Sequence, residues 1–149
     1  SDLEEAVLDG AEDGTCRVEL LSPAPDTVND LPVQTVVSKA FRHKDTLLVA
    51  IGNDHVRPAY VKLAVGDLPP AGTYRLDDRV TKRSYRKDEA TGYSDAELRG
   101  GVLIQIPGKE WAAIEIRAAG GEHGDFTVMT RDATEKKRAE DLPALQEFF

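Results

Sequence analysis

Between residues 33 and 130 the chain is written in short apolar runs, each closed by turn-forming residues, and no helical period intervenes until the C-terminal end. A chain with that rhythm has to bury many short strands against one another rather than alternate strands with helices. Residues 33–41 are rich in β-branched side chains, which suit a pleated, half-buried surface. After the polar break Arg42-His43-Lys44-Asp45, residues 46–51 are almost continuously apolar, as in a central strand covered on both faces. Gly52-Asn53-Asp54 then turns the chain. Residues 60–65 place Val61, Leu63 and Val65 opposite Lys62, and residues 73–80 alternate Tyr74, Leu76 and Val80 with Arg75, Asp77 and Arg79. Residues 102–106 and 111–116 flank Pro107-Gly108-Lys109-Glu110, and the Pro-Gly pair predicts a type II turn closing a hairpin. Residues 81–97 read as a charged loop and residues 126–130 as the last strand. About seven or eight short strands joined by turns predict an all-β fold, an antiparallel β-sandwich.

The flanks break this rhythm. In residues 15–21, Cys16, Val18 and Leu20 alternate with Arg17 and Glu19, predicting one half-buried strand. The Pro-bearing stretch from Ser22 to Pro32 then reads as linker. Leu3, Ala6 and Val7 offer a short helical stripe, with disorder as the alternative for so acidic a segment. The expected organisation is an acidic arm or linker at 1–32, a sandwich at 33–130 and a helical segment at 131–149. In that segment Asp132 and Glu135 have the spacing of a capping box, and Pro143 is expected to interrupt the helix. Leu142, Leu145 and Phe149 form a stripe able to dock on the sandwich or on a neighbouring domain.

Length and charge narrow the partners. A chain of 149 residues fits one domain, and no apolar run approaches the roughly 18 residues of a membrane helix. The start, Ser1-Asp2-Leu3-Glu4-Glu5, is acidic, whereas a secretion signal opens basic and turns apolar. A first residue other than Met predicts a processed or excised fragment of a soluble protein, with any signal lying outside it. Nine of the 27 acids and one of the 19 bases lie in residues 1–30, so that segment alone accounts for the net charge of -8. Nucleic acid and membrane are therefore not expected partners, the first because phosphates need a basic field. Cys16, the only cysteine, can form neither an internal disulfide nor a thiolate metal site by itself, and reads as a small buried hydrophobe.

A search for catalytic chemistry yields little. Gly92-Tyr93-Ser94-Asp95-Ala96 lacks the second glycine of a nucleophile elbow. His43, His55 and His123 fall in separate turns without the spacing of a helical zinc pair. There is no phosphate loop or dinucleotide fingerprint, and Gly120-Gly121-Glu122-His123-Gly124 reads as a flexible turn. Asp77 and Asp78 are the adjacent carboxylates of one strand, which directs them to opposite faces; a turn hydrogen bond and a surface charge are the expected roles. A calcium site drawing on Asp77 or Asp78 with Asn53 or Asp54 is the alternative. Arg75, Arg79, Lys82, Arg83, Arg86 and Lys87, interleaved with Tyr74 and Tyr85, form the one basic concentration. Interspersed acids make it a solvated loop rather than a strand-binding surface. No catalytic residue, metal or cofactor is assigned.

An exposed aromatic ring can stack on the C–H face of a sugar. Tyr93, in the polar loop, is the residue expected to be most exposed; Tyr85 and Trp111 complete the candidate stacking set, although Trp111, opening a strand after a tight turn, is expected to pack inward.

The segment Leu47-Leu48-Val49-Ala50-Ile51-Gly52-Asn53, followed by Ala59-Tyr60-Val61-Lys62-Leu63, resembles the opening strands of the C-terminal β-sandwich domain that follows the catalytic barrel of many glycoside hydrolases. Leu68-Pro69-Pro70-Ala71-Gly72-Thr73-Tyr74-Arg75-Leu76-Asp77-Asp78 resembles the next segment of such domains with one extra residue. Val102 to Ile106, Pro107 and Trp111-Ala112-Ala113-Ile114-Glu115-Ile116 are similar to their closing strands. The likeness spans residues 33–117. It implies a non-catalytic accessory module that stabilises or caps an adjacent catalytic domain of the same polypeptide and carries no catalytic residues of its own. Carbohydrate binding in its own right, and a protein–protein interaction or adhesion role, are the alternatives.

Overall fold

Alternating apolar positions set the architecture, and charged positions paired across strands extend it further than hydrophobicity alone suggests. The computed structural model describes residues 11–12, 16–22, 26–28, 31–33, 36–44, 46–68, 72–120 and 124–146. The elements are, in order, β1 (Ala11–Glu12), β2 (Cys16–Ser22), β3 (Asp26–Val28), β4 (Leu31–Val33), β5 (Val36–His43), β6 (Thr46–Asn53), β7 (Ala59–Val65), β8 (Thr73–Asp78), β9 (Arg83–Arg86), β10 (Tyr93–Ser94), α1 (Asp95–Gly100), β11 (Val102–Ile106), β12 (Trp111–Ala118), β13 (Thr127–Thr130) and α2 (Arg131–Gln146).

Eight strands form one sheet in the order β1-β5-β6-β12-β8-β9-β13, with β10 beside β8. Three form a second sheet, β11-β7-β2, and β3 and β4 pair separately. Leu47, Val49 and Ile51 of β6, Ala112, Ile114 and Ile116 of β12 and Leu76 of β8 share the inner face of the large sheet. They meet Val61, Leu63 and Val65 of β7 and Ile104 and Ile106 of β11 in one buried cluster. Each fully buried Leu or Ile contributes about 2 kcal/mol of transfer free energy. The fold is the expected all-β sandwich with a short C-terminal helix. Strand β6 is covered on both faces, since Leu48 is as inaccessible as its neighbours Leu47 and Val49.

Several expectations are corrected. The segment 81–97, read as a charged loop, contains β9, β10 and the start of α1; its arginines are strand residues, Arg83 donating to Gln105 Oε1 and Arg86 to Ser84 Oγ, so charge density mimics a loop. Helix α1 carries a full capping box between Ser94 and Glu97. The hairpin expected around Pro107-Gly108 does not form: β11 belongs to the small sheet and β12 to the large one. The positive φ there falls on Lys109 rather than Gly108. Glycine is required at 108 for another reason, because a Cβ would stand 2.1 Å from the Val56 carbonyl oxygen. The sheet is not wholly antiparallel, since β13 runs parallel to β9. Strand β2, from the stretch taken as an arm, pairs with β7 and belongs to the sandwich.

Helix α2 begins one residue before the anticipated cap: Ala133 N–H donates to Thr130 Oγ1 at 3.1 Å, so Thr130 and not Asp132 caps it. Pro143 lies inside the helix, which continues to Gln146. It falls in the last turn, where a lost backbone bond and ring clash disturb the fewest residues, and buried Leu145 beyond it holds the end down.

Candidate functional site

The aromatic side chains sort themselves against expectation. All four tyrosines are buried, so Tyr85 and Tyr93 present no ring face for stacking. Tyr85 points inward opposite Leu76 and its hydroxyl donates to the Gln105 carbonyl at 3.2 Å; burial pushes the phenol's pKa up. Tyr93 pairs with Tyr74 at the sheet edge, and burial likewise raises its pKa. Trp111, expected to pack inward, is 54% exposed. It opens β12 on the outer face, because its neighbour Ala112 is the inward residue and strand side chains alternate.

The indole lies over a glycine. Trp111 is the cross-strand partner of Gly52, and a Cβ at 52 would stand 2.8–2.9 Å from Cζ2, Cε2 and Cη2 of the ring. On the other side of Gly52 lies Val37, so Val37, Gly52 and Trp111 form one outward row. Val37, Val56, Val80 and Trp111 are the exposed large hydrophobics among the described residues. All four sit at the end of the sandwich where β6 and β8 finish and β5 and β12 begin.

Hydrogen bonds fix the loops that carry them. Asn53 Nδ2 donates to the carbonyls of Arg57 at 2.8 Å and of Ile106 and Pro107 at 3.3 Å, while Asn53 Oδ1 accepts from His55 N–H at 3.0 Å. Lys109 N–H donates to the His55 carbonyl at 2.8 Å. One buried amide thus ties the Val56 loop to the β11–β12 crossover. Asp78 does the same for Val80: its Oδ1 accepts from Val80 N–H and Ala113 N–H at 3.0 Å, and its Oδ2 from the Thr81 hydroxyl at 2.6 Å. The loops at the apolar end are therefore held in place by hydrogen bonds of the fold itself. Lys109 and Asp54 form an ion pair at 3.1 Å in its rim.

Farther along the same outer face the surface becomes ionic. Asp77 and Glu115 stand directly opposite each other across β8 and β12, a carboxylate pair that adjacency in sequence did not reveal. Only the register between strands brings them together. Both are buried, and each is matched by arginine: Asp77 with Arg75 at 3.0 Å, and Glu115 with Arg79 at 2.8 Å and Arg117 at 3.6 Å. Ser84 donates to Asp77 Oδ1 at 2.6 Å. Arg86 extends the array, its pKa lowered by burial and by the Arg75 charge. Asp77 is thus a buried ion-pair partner and not the surface charge expected.

Among the described residues no three His, Cys, Asp or Glu side chains gather as a metal site. Asn53 spends its amide on the carbonyls above, and Asp54 turns to Lys109, so the two do not converge with Asp77 and Asp78. His43 ends β5, His55 lies in the loop after β6, and His123 lies outside the described residues. No helix among them is long and apolar enough to cross a membrane. No protein family, curated protein or solved structure matches the chain.

Proposed function

We propose that this chain is a non-catalytic accessory β-sandwich that docks, through the apolar end around Trp111, onto an adjacent domain of its own polypeptide. The carrying observation is the exposure of Trp111, Val37, Val56 and Val80 together at one end, with the loops that bear Val56 and Val80 fixed by Asn53 and Asp78. Tryptophan anchors of this kind supply much of the binding energy at protein interfaces. The resemblance of residues 33–117 to the sandwich that follows glycoside hydrolase barrels suggests a catalytic barrel as the neighbour. The reading is tested in the full polypeptide by acrylamide quenching of the tryptophans with and without Trp111→Phe. Docking predicts that Trp111 is shielded there and accessible in the isolated sandwich; an equally accessible Trp111 in both sinks the reading, as does a gene encoding no neighbouring domain.

A second reading, direct carbohydrate binding, rests on the same exposed ring. It draws on one aromatic rather than a row of them, because the tyrosines are buried. Quenching or enhancement of Trp111 emission by neutral oligosaccharides in the isolated sandwich would favour it over docking.

A further inference from the structure

The opposite side of the sandwich carries a groove independent of the apolar end. In the small sheet Val61 and Leu63 face the core, so Lys62 faces outward, flanked in register by Glu19 of β2 and Leu103 of β11. One turn further along the same outer face, helix α2 crosses the sheet: Arg138 donates from Nε and Nη2 to Ser22 Oγ at 3.0 and 2.9 Å, and the Tyr60 hydroxyl donates to Asp141. Between α2, α1 and the Lys62–Leu103 row lies a cavity of about 460 Å³, within the range of small-molecule sites. Arg131, Glu135 and Arg138 line it from one face of α2, as their spacing requires, and Glu97 lines it from α1. The apolar part of the lining comes from Leu21, Leu103 and the edge of Tyr93.

The charges are unequally matched. Glu97 is engaged by Arg131 at 3.4 Å and Lys87 at 3.6 Å. Arg138, by contrast, spends two donors on one neutral hydroxyl, and the aliphatic stem of Lys62 lies against Gly101, where a Cβ would stand 2.3 Å from its Cγ. The cavity lining holds three cations, Lys62, Arg131 and Arg138, and two carboxylates, Glu97 and Glu135. With Lys87 also paired to Glu97 from outside the lining, the excess is small and positive, which suits a singly charged anion. A guanidinium fork receives a planar carboxylate bidentately.

We propose that this groove binds a small organic carboxylate of about monosaccharide size, its charge held by Arg138 and Lys62 and its body resting on Leu21 and Leu103. The test is calorimetric titration at low ionic strength with D-glucuronate, D-glucose, glucose 6-sulfate and glucose 6-phosphate, on the whole chain and on Arg138→Met and Lys62→Met variants checked by circular dichroism. Glucuronate is expected to bind while glucose does not, and each variant is expected to weaken binding at least tenfold. Lys62→Met keeps the stem over Gly101 and removes only an exposed charge, so it reports even where Arg138→Met disturbs the packing at Ser22. Equal or tighter binding of the sulfate or phosphate ester overturns the carboxylate assignment. Absence of glucuronate binding at millimolar concentration, or binding unaltered in Lys62→Met, overturns the site.

Discussion

The stacking of Trp111 on Gly52 makes a quantitative prediction. In Gly52→Ala the new methyl would stand 2.8–2.9 Å from three ring atoms, against an ordinary contact of about 3.4 Å or more, so the indole has to swing outward. Overpacking of this kind costs about 1–3 kcal/mol, and an exposed ring that can move limits it to about 1.5 kcal/mol. Replacing glycine by alanine inside a strand returns about 0.5 kcal/mol of backbone entropy, the low end of its usual range, leaving the single variant destabilised by about 1 kcal/mol. Once Trp111→Ala has removed the ring, all three clashing atoms are gone, and Gly52→Ala becomes stabilising by about 0.5 kcal/mol. The double-mutant cycle therefore has a coupling energy of about 1.5 kcal/mol, well beyond the few tenths expected of independent sites. Urea unfolding of the four proteins measures it. Because Trp111 is the only tryptophan, its emission gives a second readout: Gly52→Ala shifts it to the red and increases acrylamide quenching. Additive stabilities together with unchanged emission would refute the stacking.

Other substitutions probe the elements that position the two surfaces. Gly108→Ala drives a Cβ into the Val56 carbonyl, which is backbone and cannot step aside; a loss of about 2 kcal/mol is expected, seen as a fall of roughly 4–8 °C in Tm. Asp77→Asn keeps the shape but removes the charge that faces Arg75, and breaking a buried pair from one side costs about 3 kcal/mol, measured by urea unfolding. Tyr60→Phe removes the hydroxyl that joins Asp141 of α2 to Gln105 Nε2; about 1–2 kcal/mol is expected, with faster amide exchange in α2 as the local signature. The Ser94 N–H bond to Glu97, aided by Lys87 and Arg131, holds that carboxyl's pKa below its ordinary value. Its stabilising contribution is therefore complete above the unfolded pKa of about 4.3 and is lost as pH falls through the lower folded value. Wild type should lose stability more steeply than Glu97→Gln below about pH 4.3, as read from urea midpoints across pH.

The sequence exposed the strands whose faces differ in polarity and concealed those whose faces do not. Strands β6, β7, β11 and β12 were legible because apolar residues mark their inner faces. Strand β9 was not, because Arg83, Ser84 and Arg86 read as solvent-seeking until the fold supplies Gln105 for Arg83 and Asp77 for Ser84. The same blindness hid the facing carboxylates Asp77 and Glu115, which are 38 positions apart in sequence and adjacent only through register. A glycine opposite a tryptophan was visible as two letters but not as a contact, and this reversed the order of exposure between Trp111 and Tyr93. Tyr93 looked exposed because its neighbours are polar, yet β10 folds it against Tyr74 in the core. Local composition predicts exposure well only where the chain stays local.

The geometry of a sandwich separates the two proposed surfaces. Trp111 stands on the outer face of the large sheet and Lys62 on the outer face of the small one, with the whole apolar core between them. A module built this way can rest one end on a neighbouring domain while leaving the groove beside α2 open. Coupling between the two would have to cross the core or pass along the bond from Arg57 Nη1, next to Val56, to the Ala144 carbonyl of α2 at 2.7 Å, and distant sites without shared partners usually behave additively to within about 0.5 kcal/mol. Trp111→Ala should therefore leave glucuronate affinity in the isolated sandwich unchanged, and Lys62→Met should leave the shielding of Trp111 in the full polypeptide unchanged. If either substitution moves the other readout by tenfold, the surfaces are linked through a rearrangement of the sheets, and the independence argued from alternating faces fails.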